Sequence, residues 1–232
     1  MHEYILVTNI YPSPDKPGFG TFVYNWEQLA LQAGWRSGLR IIARTGTRSR
    51  LLKFLYYAHY QIRILFRGLF DRRPLYIHFI SHASPALFVT LLVRPGRKII
   101  LNSHGTDLLG HAFAQRFLRP IIAYILTRAS RVVVPSTPYR ALLDKSYRLD
   151  PDRVCVCCSG GVDPEVFFPT RPDSEPGIRT IGFASRLIPE KGIRIFCEAA
   201  RIVEAAHPGI AYLVAGDGSE REFLAAWMQE NP

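Results

Sequence analysis

Short apolar runs alternate with longer amphipathic ones along most of the chain. Residues 3–9 (EYILVTN) read as a buried strand, and 21–34 (TFVYNWEQLALQAG) as a helix closed by Gly34. Residues 39–44 (LRIIAR) form the next strand, and 75–81 (LYIHFIS) a third, followed by a helix opened by Ser84 and Pro85. Then come a strand at 97–104 (RKIILNSH) and a long helix through FLRPIIAYILTRAS. The strand at 131–136 (RVVVPS) leads into a helix capped by Thr137 with Pro138 at its first position, and 152–159 (DRVCVCCS) closes the series. Strands apolar throughout, separated by helical stretches, predict a parallel sheet covered on both faces.

Residues 1–166 therefore read as one doubly wound, Rossmann-like α/β domain. Residues 167–177 (FFPTRPDSEPG), with three prolines, read as a linker. The pattern then restarts with a strand at 178–184, a helix at 192–206, a strand at 211–216 and a helix from Ser219 to about Glu230. Residues 178–232 are expected to be the start of a second Rossmann-like domain. Two strands and two helices fall short of the roughly 100 residues of an ordinary domain. A further C-terminal part, supplied by a longer or a second chain, is expected.

Composition narrows the function classes. Hydrophobic residues at 48% and charged ones at 21% exclude wholesale disorder. The formal charge of +10 (29 basic minus 19 acidic) predicts attraction to phosphates, anionic lipid or nucleic acid. No nucleic-acid reading motif accompanies it, so nucleic acid ranks last. The chain opens directly on a strand rather than on a secretory signal, which predicts a cytoplasmic protein. The longest run without a charge, Leu75 to Val93, contains His78, His82 and Pro85 and fits strand, loop and helix better than a membrane span. In RVCVCCSGG, Cys155 and Cys158 would point to opposite faces of a strand, and Cys197 stands alone, so the cysteines read as buried thiols. His78, His82 and His111 sit in separate segments without ligand spacing, and neither a metal nor another cofactor is expected.

Ligands of open parallel sheets bind beyond the carboxyl ends of the strands. Four segments there carry candidate chemistry. In PSPDKPGFGTF, Gly18 and Gly20 precede a helix, where bare backbone and free N–H groups suit a phosphate. The pattern is not G-x-G-x-x-G, so a dinucleotide is not implied. In NSHGTDLLG, His104 and Asp107 directly follow a strand and are the candidate catalytic pair. In GFASRLIPEKG, Arg186 can grip two phosphate oxygens while Lys191 acts as a compact charge. In AGDGSERE, Gly216 and Gly218 complete a candidate diphosphate cradle.

The segment 44–73 holds eight Lys/Arg against the single acid Asp71. Placed on a helix, Phe54, Leu55, Ala58, Ile62, Leu65, Phe66 and Leu69 gather on one side. Arg50, Lys53, Arg63 and Arg67, with Tyr56 and Tyr57, spread over the other. Two readings stand: the apolar side packs on the sheet and the basic side is merely solvated, or the basic side lies on anionic lipid.

GFASRLIPEKG, followed about twenty residues later by YLVAGDGSERE, resembles the donor-nucleotide half of the retaining GT-B glycosyltransferases, in particular the group called family four or group one. ILVTNIYPSPDKPGFGTFV, NSHGTD, VVPSTPYRALL and SGGVDPEVFFP are similar to that family's N-terminal domain in the same order. The resemblance implies transfer of a sugar from a nucleotide-diphosphate sugar to a lipid-linked or polysaccharide acceptor with retained configuration and no metal. It places cell-envelope or exopolysaccharide work at the cytoplasmic face of the membrane, with the enzyme peripheral there. Arg186 and Lys191 would hold the diphosphate, Gly20 would approach it from the opposite domain, and His104 would lie beside the reacting carbon. Where the family reads Pro-Asn-Gly-Val-Asp, this chain reads Ser159-Gly160-Gly161-Val162-Asp163, and the family's paired glutamates would lie past Pro232. Two alternatives stay open, an inactive membrane-associated binding module and a sugar-nucleotide epimerase.

Overall fold

A strand that buries every residue needs cover on both of its faces, and β1 (His2–Thr8) buries five in succession from Tyr4 to Thr8. The computed structural model describes residues 2–43, 47, 49–105, 113–157, 164–168 and 179–231, with backbone alone for 113–117 and 179. The chain forms two compact units, 1–163 and 164–232. In the first, α1 (Thr21–Gln32) leads to β2 (Trp35–Ile42), and α2 (Arg50–Phe70) to β3 (Leu75–His78). Next come α3 (Ile80–Val93), β4 (Ile99–Asn102), α4 (Phe113–Arg128), β5 (Arg131–Val134), α5 (Thr137–Tyr147) and β6 (Val154–Val156). The six strands are all parallel in the order β2-β1-β3-β4-β5-β6. This is the flavodoxin-type variant of the doubly wound sheet, with its order reversing between β1 and β3.

Alternate residues of the central strands serve opposite layers. Ile5, Val7, Leu75, Ile77, Ile99 and Leu101 share one core with Tyr60, Ile64, Leu87, Ile125 and Leu143 from α2 to α5. Tyr4, Leu6 and Tyr76 face the other way, onto Val23 and Trp26 of α1, and Trp26 stacks on Tyr76 at 3.7 Å.

Three local expectations are corrected. The helix after β3 does not open at Ser84–Pro85 but four residues earlier, at Ile80, so Pro85 lies inside α3. A proline there leaves the carbonyl of residue 81 without its helical donor. Ser84 Oγ supplies a donor to that carbonyl at 2.9 Å. One residue on, the Gln61 amide enters the helix, donating to His82 O at 2.7 Å and accepting from Ala86 N at 3.1 Å, with Tyr57 Oη adding a bond to His82 O at 2.9 Å. Second, Ser136 rather than Thr137 caps α5, accepting from Tyr139 N at 3.4 Å. Third, Cys155 and Cys157 are exposed because β6 is the sheet's edge; Cys197 is buried, and Cys158 lies outside the described residues.

Helix α2 is turned about its axis relative to the expectation. Its buried residues are Tyr60, Ile64 and Gly68, while Phe54, Leu55, Ile62 and Phe66 of the predicted inner side are exposed. The cause is the contact with α3. Gly68 lies so near Thr90 that an added Cβ would stand 2.5 Å from its Oγ1. Tyr57 and Gln61 are also needed beside the Pro85 turn. Specific fit thereby prevails over the direction of greatest hydrophobicity.

In the second unit β7 (Arg179–Ala184) pairs in parallel with β8 (Ile210–Ala215), with α6 (Ile193–Ala206) and α7 (Arg221–Glu230) on one face. Leu187, Ile193, Cys197 and Leu224 form its core, with Phe183, Val214 and Trp227 packed against them. Most of the expected linker lies outside the described residues; Phe167 and Phe168 at its start are exposed.

Candidate functional site

The switch between β1 and β3 brings three loops to one end of the first sheet. After β1, Thr8 Oγ1 bonds Ile10 O at 2.8 Å and turns the chain toward α1. Gly20 caps α1 in the left-handed region (φ 83°), and a Cβ there would stand 2.9 Å from Tyr11 N and 3.0 Å from Ile10 C. Glycine is therefore required on two counts, conformation and close approach. At Gly18, in contrast, an added Cβ would meet nothing within 4 Å. The loop is buttressed by Glu27 of α1, whose buried carboxylate accepts from Tyr11 Oη at 2.5 Å, Arg40 Nε at 2.8 Å and Ser37 Oγ. Burial pushes this carboxyl up, but the three donors outweigh it and hold its pKa below the ordinary value.

His104 follows β4 and is boxed by rings. His78, at the end of β3, stacks on it nearly in parallel (13°, centroids 5.1 Å), and Phe22 and Phe79 lie at 4.6 Å and 4.7 Å. Phe79 is the left-handed cap of α3 (φ 61°), an uncommon conformation for a bulky residue. His78 Nδ1 and His104 Nε2 are 2.9 Å apart. Burial lowers the pKa of His104 to about 4; burial first, and then the His104 charge, lowers that of His78 to about 3. Both rings are neutral at pH 7.

The remaining nitrogen, His78 Nε2, is buried without a partner. An orphaned lone pair is tolerated more readily than an orphaned N–H. His78 therefore carries its proton on Nδ1 and donates to His104 Nε2, which leaves His104 with its own proton on Nδ1. The loop itself is clamped from α5. Tyr139 Oη donates to Gly105 O at 2.9 Å and lies 3.1 Å from Ser103 Oγ, and Gly105 takes φ 96°. Asp107, the other candidate catalytic residue, lies outside the described residues, as does His111.

In the second unit the β7–β8 ladder continues past both strands. Ser185 N donates to Ala215 O at 3.1 Å, Leu187 N to Asp217 O at 2.9 Å, and Glu220 N to Leu187 O at 2.9 Å. Gly216 and Gly218 make this possible, since a Cβ on either would stand 1.9 Å from Ser185 O or 2.3 Å from Leu187 O. Arg186 sits between these two anchored residues and is exposed. Lys191 ends the short 3-10 turn Pro189–Lys191, directly before Gly192, the left-handed cap of α6 (φ 78°). Neither side chain has a hydrogen-bond or ion-pair partner among the described residues. Their neighbour Arg194 is committed, pairing with the buried Glu220 at 2.5 Å and lying over Phe223 at 4.1 Å. Among the described residues no group of histidine, cysteine and carboxylate side chains is arranged to hold a metal ion.

Sequence reasoning missed two residues of this arrangement. His78 reads as an isolated histidine, and only the pairing of β3 with β4 puts it opposite the end of β4. Glu27 reads as a polar position on an amphipathic helix, and the arrival of Tyr11 and Arg40 makes it a buried anchor.

A parallel sheet with its chemistry gathered at the carboxyl ends of its strands, followed by the strand–helix units of 164–232, is the Rossmann-like architecture of the GT-B glycosyltransferases. The chain belongs to the glycosyl transferase 4-like domain family, whose profile matches residues 12–160. A solved glycosyltransferase from Rickettsia africae ESF-5 matches with 16% identity and a TM-score of 0.61, over 100% of this chain and 67% of its own. HepE of Anabaena in complex with UDP matches with 16% identity and a TM-score of 0.60, over 99% of this chain and 65% of its own. TarM matches with 16% identity and a TM-score of 0.52, over 75% of this chain and 34% of its own. At this identity the likeness is one of fold, and the chain spans from a third to two thirds of the length of these structures. Among curated sequences, no protein matches the chain.

Proposed function

We propose that the chain serves a retaining glycosyltransferase that moves a sugar from a nucleoside-diphosphate sugar to a glycan or lipid-linked acceptor in envelope or exopolysaccharide assembly. The observation that carries this reading is the pair of unpartnered cations, Arg186 and Lys191, held at a strand end and a helix N-terminus. The departing diphosphate gathers negative charge, which two cations and the first-turn N–H groups of α6 stabilise without a metal ion. Gly216 and Gly218 keep this loop closed and the backbone close to the phosphates. In the first unit, His104 presents a neutral ring at the end of β4, held 2.9 Å from His78 Nδ1 through its Nε2. Gly20, with Gly18 before it, keeps the backbone bare at the head of α1. HepE has been solved with UDP and glucose, which supports a nucleotide sugar as the ligand to try first.

The enzyme works as a peripheral protein at the cytoplasmic face of the membrane. Support comes from α2, which carries Arg50, Lys53, Arg63 and Arg67 and no acidic residue. Among the described residues no helix is long and apolar enough to cross a membrane. Titration of UDP-glucose, then of other nucleoside-diphosphate sugars, into the purified chain tests the donor site. Arg186→Ala should weaken binding about 10- to 100-fold, as expected for a hydrogen bond to a charged group. Because Arg186 has no partner to lose, thermal unfolding should stay unchanged. The absence of uptake at millimolar ligand would rule the donor site out.

A further inference from the structure

His78 is too deep to touch a ligand itself. It is the last residue of β3 and is fully buried, whereas His104 beside it is half-buried. Two constraints fix the His78 ring. Its backbone is held in the sheet, in register with Asn102 of β4. Its ring lies against Tyr76 (centroids 5.3 Å) and Trp26 (5.5 Å). Those two rings stack on each other, and Asn102 Nδ2 donates to Tyr76 Oη at 3.0 Å. Among the described residues, the one hydrogen-bond partner of the His78 ring is His104, Nδ1 to Nε2 at 2.9 Å with the ring planes 13° apart. A ring N–H and a ring lone pair both lie in the planes of their rings, so nearly parallel planes let the two align.

From this arrangement we infer that His78 is a positioning residue for His104, holding the plane of its ring and fixing its proton on Nδ1 by donating to Nε2. The inference rests on the reading of His104 as a residue of the transfer site and deepens it. Which nitrogen carries the proton decides what an imidazole can donate to and accept from. The chemistry of the partner matters as well. A carboxylate in this place would accept from His104 and raise its pKa, as in the pairs that make a histidine a general base. A neutral imidazole that donates opposes protonation of the ring it touches, so His104 gains orientation without gaining basicity.

Two replacements separate hydrogen bonding from packing. Asparagine carries an N–H where histidine has Nδ1 but leaves a gap in place of the rest of the ring. Phenylalanine fills the space and carries no donor. In the full chain with isotope-labelled histidines, the ring-nitrogen NMR shifts of His104, assigned by their loss in His104→Gln, report its tautomer at neutral pH. Wild type should show Nε2 bare and Nδ1 protonated. His78→Asn should keep that tautomer and lower the melting temperature. His78→Phe should hold the melting temperature while the His104 proton spreads over both nitrogens. Hydrolysis of UDP-glucose by the same chains reads the consequence: kcat should fall about tenfold or more in His78→Phe with KM unchanged, and recover in His78→Asn. A wild-type His104 protonated on Nε2, or a tautomer that His78→Phe leaves unchanged, would overturn the inference. So would turnover that follows the melting temperature, lost in His78→Asn and kept in His78→Phe, because that is the pattern of a packing residue. A chain that shows the expected tautomers but neither binds nor hydrolyses UDP-glucose would remove the transfer reading and leave the hold of His78 on His104 standing.

Discussion

The corner around His104 and the loop around Arg186 each begin where a parallel strand runs into a glycine-bearing turn, and they offer opposite environments. His104 is enclosed by Phe22, Phe79 and His78, and burial keeps it neutral. Arg186 and Lys191 are exposed, without a hydrogen-bond or ion-pair partner among the described residues. The first corner is pre-organised by ring packing and hydrogen bonds, so any proton it gains costs stability. The second is pre-organised only in its backbone, through the continued β7–β8 ladder, and leaves its charges uncommitted for a ligand. The lesson is that a strand end supplies a place, and the packing of the next layer decides whether the place is dry or charged.

The largest effect is expected from breaking the backbone of the charged corner. Gly216→Ala puts a methyl group 1.9 Å from Ser185 O, which only movement of the loop can relieve. It should cost about 3 kcal/mol, read as a fall in the second unit's unfolding free energy, with loss of nucleotide-sugar binding alongside. A fully stable variant would show that the loop closure is not needed. An intermediate effect tests the dry corner. The folded pKa values of His104 and His78, about 4 and about 3, lie below the ordinary 6.5. Between those limits the unfolded chain binds protons that the folded one refuses, so stability present above pH 6.5 is lost as pH falls toward 4. Urea unfolding across that range should show the slope, and His78→Phe should flatten part of it. An unchanged slope would mean that His78 is not among the groups responsible. The smallest effect is expected at Gly18→Ala, within about 0.5 kcal/mol because its Cβ space is open, in contrast to Gly20 two residues on.

Much of the sheet could be read in advance. Apolar runs such as ILV in β1 and RVVV in β5 are short, local and unbroken, and both are strands in the structure. The glycines at 20, 216 and 218 could also be located, because strand–glycine–helix punctuation is a local signal. Their steric partners could not: Tyr11, Ser185 and Leu187 come into place only when loops from different segments close together. The same holds for His78 against His104, and for Glu27 beneath Tyr11 and Arg40, where contact joins residues far apart along the chain.

Taken by itself, the amino-acid order determined which stretches are strands, which are helices and where the cations and bare turns fall, because period and turn chemistry act over a few residues. The tertiary structure alone decided the strand order that sets the β1–β3 switch, the neutral state of the histidine pair and the outward turn of α2. Each of these depends on what a neighbouring layer offers. For α2 the offer was a glycine-sized gap at Thr90 and a broken turn at Pro85, and fitting them outweighed burying Ile62, Phe66 and Phe70.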